Sequence, residues 1–168
     1  MSADNQQERL EKNWIVGFTD GEGCFSVSIF KNKTSVLGWQ LFPEFTITQG
    51  AKSLNTLKGI KKFFECGKIF VNRRCDNHRE NLYRYCVRSI RDLQNIIIPF
   101  FKKNHLQTSK RNDFEYFAEI IELMKDRKHF VLCGLKKIAK ITQKMNRQSK
   151  SKFLESSETI RQNPKNKG

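Results

Sequence analysis

Two carboxylates set among glycines at the end of an apolar run are the residues of this chain best placed to do chemistry. In WIVGFTDGEGCF, Trp14 to Phe25, Asp20 and Glu22 alternate with Gly21 and Gly23, and a β-like segment follows at once. Read as a helix, the run puts both acids at its C-terminal end, where the macrodipole is already negative and disfavours them. Nothing basic lies between Lys12 and Lys31 to compensate locally. Carboxylates held there ask for a cation, and oxygen ligands suit Mg2+ or Ca2+. Gly17 and Gly21 are four apart, so they share a helix face and leave a flat track for close backbone approach. That use of glycine spacing is an analogy with membrane helices.

The elements that must position these acids follow from hydrophobic periodicity. Leu10–Asp20 reads as a first helix, and Cys24–Lys31 alternates as a half-buried strand with Phe25, Val27 and Ile29 inward. After a turn at Asn32–Ser35, Leu37–Gln49 resumes the period of two with Leu41, Phe45 and Ile47 inward, and Pro43 suggests an edge position or a bulge. Ser53 can cap a helix carrying Leu54, Leu57 and Phe64 that stops at Gly67. A second hairpin, Lys68–Arg74 and Leu82–Arg88, flanks a polar turn at Asn77–Asn81. Ser89 caps a helix over Ile90–Ile98 that Pro99 interrupts or restarts. Asp113–Lys125 is amphipathic through Phe114, Phe117, Ile121 and Met124, and Gly134–Met145 is a last helix carrying Ile138, Ile141 and Met145. The order gives an α+β fold, an antiparallel sheet with helices packed on one face and the other face left for a partner. Residues 1–147 form one domain on this reading, and 148–168 a polar, basic C-terminal tail.

The charge balance says what kind of partner that is. The 168 residues carry a net charge of +15 and a pI near 9.8. Such an excess favours a polyanion, nucleic acid before an anionic membrane. The longest apolar stretch, Ile96–Phe101, is too short to span a bilayer. The N-terminal MSADNQQERLEKN resembles neither a secretory signal nor a transit peptide, so the expectation is action where the chain is made. Five cysteines without a CxxC spacing read as free thiols in a reducing compartment.

The outward parity of the strands presents Ser26, Ser28, Asn32, Gln40, Glu44, Thr46, Lys68, Asn72, Arg74, Arg84 and Arg88. These are the side-chain types that read base edges, Arg on guanine, Asn or Gln on adenine, Glu on the cytosine amine, and a two-stranded ribbon fits the major groove. The alternative is a solvated sheet face. Phe30, Phe42 and Phe70 fall on the same parity; either they contact thymine methyls or sugars, or the register slips by one.

IVGFTDGEG, Ile15 to Gly23, resembles the motif of the LAGLIDADG homing endonucleases. FTITQ (Phe45–Gln49), PFF (Pro99–Phe101), SKRNDFEYFAEII (Ser109–Ile121) and GLKKIAKITQKMN (Gly134–Asn146) extend the resemblance over residues 12 to 146. It implies the αββαββα fold with a saddle-shaped sheet on DNA. It also implies Glu22 as metal ligand with the Gly21 carbonyl beside it, Gln49 positioning water, and Lys110 near the scissile phosphate. Asp20 matches the first acid of the motif, more often structural. Three departures stand out: Glu22 where Asp is commoner, Val16 for a small Ala, and Ser53, with Lys52 adjacent, where some relatives carry a basic residue.

A single motif implies a homodimer joined through Gly17, Gly21 and Asp20, and a two-fold dimer implies a pseudo-palindromic target. Glu22 and its twin would repel unless divalent cations lay between them. The implied activity is intron homing: Mg2+-dependent hydrolysis of both strands of a long site, leaving short 3′ overhangs, with Ca2+ supporting binding and little or no cleavage. The implied setting is the organelle, mitochondrion or chloroplast, whose intron encodes the chain. The competing readings are an intron RNA maturase and a catalytically inactive DNA-binding protein of the same fold.

Overall fold

A computed structural model describes residues 10–72, 81–145 and 153–154. The elements run α1 (Lys12–Glu22), β1 (Gly23–Lys31), β2 (Trp39–Gly50), a 3-10 turn, α2 (Leu54–Phe64), β3 (Lys68–Asn72), β4 (Leu82–Val87), α3 (Ile90–Asp92), a π turn (Leu93–Ile97), α4 (Ile98–Lys103), α5 (Lys110–Lys125) and α6 (Leu132–Thr142). The strands form one sheet in the order β1-β2-β4-β3. The α+β class and the alternation of helices with strand pairs along the chain are those that the periodicities predict. The chain divides into two compact units, Met1–Cys24 with Phe45–Lys110, and Phe25–Glu44 with Arg111–Gly168.

In the first unit, antiparallel pairing sets Ile47 opposite Tyr85 and Tyr85 opposite Ile69, with Phe45 opposite Val87. These rows face the helices: Phe45 packs edge-on against Phe64 of α2, Phe101 of α4 and Tyr85. Phe45, Tyr85, Val87 and Phe101 are at most 1% exposed, so this is where the unit's apolar burial concentrates. The opposite face carries the rows Thr46–Cys86–Lys68, Thr48–Arg84–Phe70 and Gly50–Leu82–Asn72. In the second unit, Phe25 of β1 meets Phe114 and Phe117 of α5. Trp39 meets Phe153 edge-on at 5.3 Å, and Phe153 and Leu154 are buried within the stretch read as a polar tail.

Several boundaries differ from expectation for local reasons. α1 runs two residues further, so Glu22 is its last residue. The Gly23 N–H closes on the Thr19 carbonyl, and a Cβ on Gly23 would stand 2.6 Å from Thr19 Cγ2, so only glycine lets the strand begin there. Ser53 ends a 3-10 turn and makes no side-chain cap. α2 stops at Glu65, whose φ of 54° is left-handed, two residues before Gly67. Ser89 caps as expected, accepting the Asp92 N–H at 3.3 Å. Pro99 does not break the helix: it sits at the start of α4, after the π turn, where its missing N–H costs least.

Candidate metal and DNA site

α1 delivers its acids to the point where the helix becomes β1. Asp20 and Glu22, two apart, face differently and have different fates. Asp20 turns to the segment ahead of α5. Its Oδ2 accepts the Gln107 N–H at 2.7 Å, and its Oδ1 accepts the Thr108 hydroxyl at 2.8 Å and the Thr108 N–H at 3.2 Å. Burial works to raise the Asp20 pKa, but these donors, with the nearby Lys110 charge, outweigh it and hold the carboxyl below its ordinary value. Glu22 is exposed, and no side chain among the described residues pairs with it.

The positive charge that local sequence does not supply comes from 89 residues away. Lys110 opens α5, and its Nζ donates to the Thr19 carbonyl at 3.0 Å and to the Gly21 carbonyl at 3.3 Å. The ammonium thus sits on carbonyls at a helix C-terminus, where the macrodipole favours a cation, and shares the Thr19 carbonyl with the Gly23 N–H. Thr108 links the two contacts: its hydroxyl donates to Asp20 and accepts the Lys110 N–H at 3.2 Å. Gln107 and Thr108 escaped the sequence reading. A Thr two residues before a helix start is the available signal, since hydroxyls cap orphan N–H groups there.

Gln49 lies at the end of β2, half-buried and opposite Tyr83, on the parity of Phe45 and Ile47. It makes no side-chain hydrogen bond among the described residues. Lys110, Gly21 and Asp20 are therefore joined through hydrogen bonds, while Gln49 and Glu22 enter no such bond among the described residues. Among the described residues no group of three His, Cys, Asp or Glu side chains gathers to hold a metal. Gly17 and Gly21 are exposed, and a Cβ on either meets nothing within 4 Å. Trp14, 40% exposed, stacks on Phe18 with ring centres 4.7 Å apart, so Trp14, Gly17, Phe18 and Gly21 make one stripe along α1.

The expected base-reading residues divide three ways. Ser28, Lys68, Asn72 and Arg88 are exposed, as is Lys52 in the 3-10 turn, and Ser26, Asn32, Gln40, Glu44 and Arg84 are half-buried. Thr46 corrects the outward reading: it keeps the outer parity but is only 6% exposed, a short side chain on an inner strand beside the buried Cys86. Arg74 lies outside the described residues. Phe70 keeps its outward register, opposite Arg84, and the Arg88 guanidinium lies 5.1 Å over its ring, which explains an aromatic on a polar face. Phe30 and Phe42 pack against each other at 6.2 Å. No helix is long and apolar enough to cross a membrane among the described residues.

Comparison with known proteins adds relatives to this geometry. A family model described as LAGLIDADG endonuclease matches residues 15–121. A Neurospora crassa protein named probable intron-encoded endonuclease 2 is 36% identical over 129 residues, 77% of this chain and 28% of its own. The chain spans about a quarter of the length of the first curated relatives it matches. Among solved structures, the homing endonuclease I-TnaI aligns with a TM-score of 0.78 and 35% identity, over 90% of this chain and 98% of that one. I-SmaMI bound to uncleaved DNA target with calcium ions aligns at 0.79 and 32% identity, over 93% and 49%.

Proposed function

The chain belongs to the LAGLIDADG endonuclease family, and from that premise we propose that it is a metal-dependent, site-specific DNA endonuclease acting as a pair of copies. One observation carries the reading: at the end of α1, Glu22 is exposed and unpaired among the described residues while Lys110 rests on the adjoining carbonyls. The donors fit a hard cation, being a carboxylate and a main-chain carbonyl at the negative end of a helix that already attracts an ammonium. Glu22 and the Gly21 carbonyl would hold Mg2+, which would supply Lewis-acid activation of water and stabilisation of the departing 3′ oxygen. Ca2+ suits the same oxygens and would support binding with little or no cleavage.

The remaining work falls to side chains of this chain. Lys110 brings a positive charge to the place where charge builds on a phosphate. Gln49 supplies an amide able to orient solvent. Asp20 holds the Gln107–Thr108 turn and so sets where α5 begins. The outward sheet residues choose sequence, and lysines such as Lys52 and Lys68 neutralise phosphates.

Each chain offers one Glu22, and a duplex has two strands. The stripe of exposed Trp14, Gly17 and Gly21 with half-buried Phe18 suits a second α1, and coverage of 49% of the I-SmaMI chain is what one of two copies would give. Two copies about a two-fold axis imply a pseudo-palindromic target and short 3′ overhangs. Relatives named as intron-encoded support an origin in an intron; on this reading the chain acts in the organelle that expresses that intron. The test is Glu22→Gln, which removes charge and keeps size. The variant should bind the duplex that the wild type selects and fail to cut it in Mg2+. Wild-type cleavage by that variant would remove Glu22 from the mechanism.

A further inference from the structure

The loop between β1 and β2 holds a hydrogen-bond chain whose polarity is set by the main chain. Asn32 Oδ1 accepts the Thr34 N–H at 3.0 Å and the Thr34 hydroxyl at 2.7 Å. A backbone N–H only donates, so the oxygen end of the Asn32 amide is identified. Asn32 Nδ2 must then donate, and it does so to Gln40 Oε1 at 2.6 Å. Gln40 keeps its NH2 group, which has no partner among the described residues. Rotating that amide by 180° would set NH2 against NH2. The loop itself is braced by Asn32 N–H to Gly38 O at 2.9 Å, Ser35 N–H to Asn32 O at 3.0 Å and Gly38 N–H to Ser35 O at 2.8 Å. Gln40 takes the outward parity of β2, half-buried, whereas Leu41 and Pro43 on the other parity are buried.

A free glutamine suits adenine because its amide offers an acceptor and a donor side by side to N6 and N7. A glutamine whose oxygen is held on the Asn32 amide keeps one lone pair but has both N–H groups free, so its donors lead in a base contact. Guanine presents two acceptors, N7 and O6, whereas adenine sets an amino group beside N7 and cytosine presents an amino group; thymine offers a single acceptor beside its methyl. We propose that Gln40 reads through its NH2 donors and selects guanine over adenine at one position of each half-site, with Asn32 as its positioning residue. This inference rests on the DNA-cleaving reading above, whose sheet face it makes specific.

The test is selection of the full chain on a randomised duplex library in Ca2+, followed by sequencing of bound DNA. The wild type should enrich guanine over adenine on the order of tenfold at one position per half-site. Asn32→Ala frees the Gln40 oxygen and should bring that ratio toward unity by admitting adenine. Gln40→Glu exchanges the donors for a carboxylate and should turn the same position to cytosine, whose amino group donates. Gln40→Glu leaves the Thr34–Asn32 bonds in place, so it reports even where Asn32→Ala weakens the loop; thermal melts establish that each variant is folded. An unchanged preference at every position in Gln40→Glu overturns the proposal, as does a wild type that takes adenine at the position this variant alters. A wild type that enriches no sequence at all fails at the DNA-binding reading instead, and the proposal falls with it.

Discussion

Replacing Asp20 by asparagine exchanges a carboxylate that serves three donors for an amide that can serve two. An asparagine oxygen at the Oδ1 position keeps the Thr108 hydroxyl and N–H, but its NH2 then faces the Gln107 N–H, donor against donor, where a 2.7 Å bond had been. Hydrogen bonds to a charged group contribute about 1.5–3 kcal/mol each. Gln107 and Thr108 are exposed, so water takes up the freed N–H and the low end applies, a loss of about 1.5 kcal/mol. For a domain of this size that lowers Tm by roughly 3–6 °C. The pH dependence has a definite sign. The folded carboxyl sits below its ordinary value, so its stabilisation is complete above the unfolded pKa, about 3.9, and is lost as pH falls through the lower folded value. Melting curves of wild type and Asp20→Asn should therefore be furthest apart at neutral pH and converge below about pH 4. Equal melting temperatures at pH 7, or a gap as wide in acid as at neutrality, would refute the argument that Asp20 ties α1 to the turn before α5.

Other perturbations separate the remaining parts. Gly67→Ala should cost more than about 2 kcal/mol in urea unfolding, because φ is +77° and a Cβ would stand 2.7 Å from Tyr85 Cε2 and 2.9 Å from the Cys86 carbonyl. Gly17→Leu leaves the isolated fold undisturbed, since nothing lies within 4 Å of the added Cβ, yet it should halve the mass seen by sedimentation and abolish double-strand cutting. A folded variant that still sediments as a pair would place the contact elsewhere on the surface. Affinity for the selected duplex should fall steeply with salt, each neutralised phosphate adding about 0.9 to the log–log slope; a flat response would mean that the basic surface does not meet DNA.

What the chain reveals on reading and what it hides follow the reach of each interaction. The alternation around Phe25, Val27, Phe45 and Ile47 depends on neighbours two residues away, so strands and their order emerge from sequence. The acids at the end of α1 are equally local. The partners of Asp20 and of the helix-end carbonyls are not: Lys110 lies 89 residues from Gly21, and the Gln107–Thr108 turn some 87 from Asp20, while Glu22 gains no partner among the described residues. Helix α1 overruns the expected stop, and its Thr19 carbonyl takes the local Gly23 N–H together with the distant Lys110 ammonium. Parity also carries an assumption of one open face. It fails at Thr46, where an inner strand hides a short side chain. Residue type alone makes Asn32 and Gln40 interchangeable adenine readers, and only the Thr34 N–H, settled by the turn, gives them a direction.

The most direct trial is to incubate the purified chain with the randomised duplex library in Mg2+ and in EDTA and to sequence the ends. A pair of Glu22 carboxylates acting beneath one duplex should yield breaks in both strands, only with Mg2+, at a sequence with two-fold character and with short 3′ overhangs. Cutting that persists in EDTA, or nicks confined to one strand of an asymmetric site, would contradict the account.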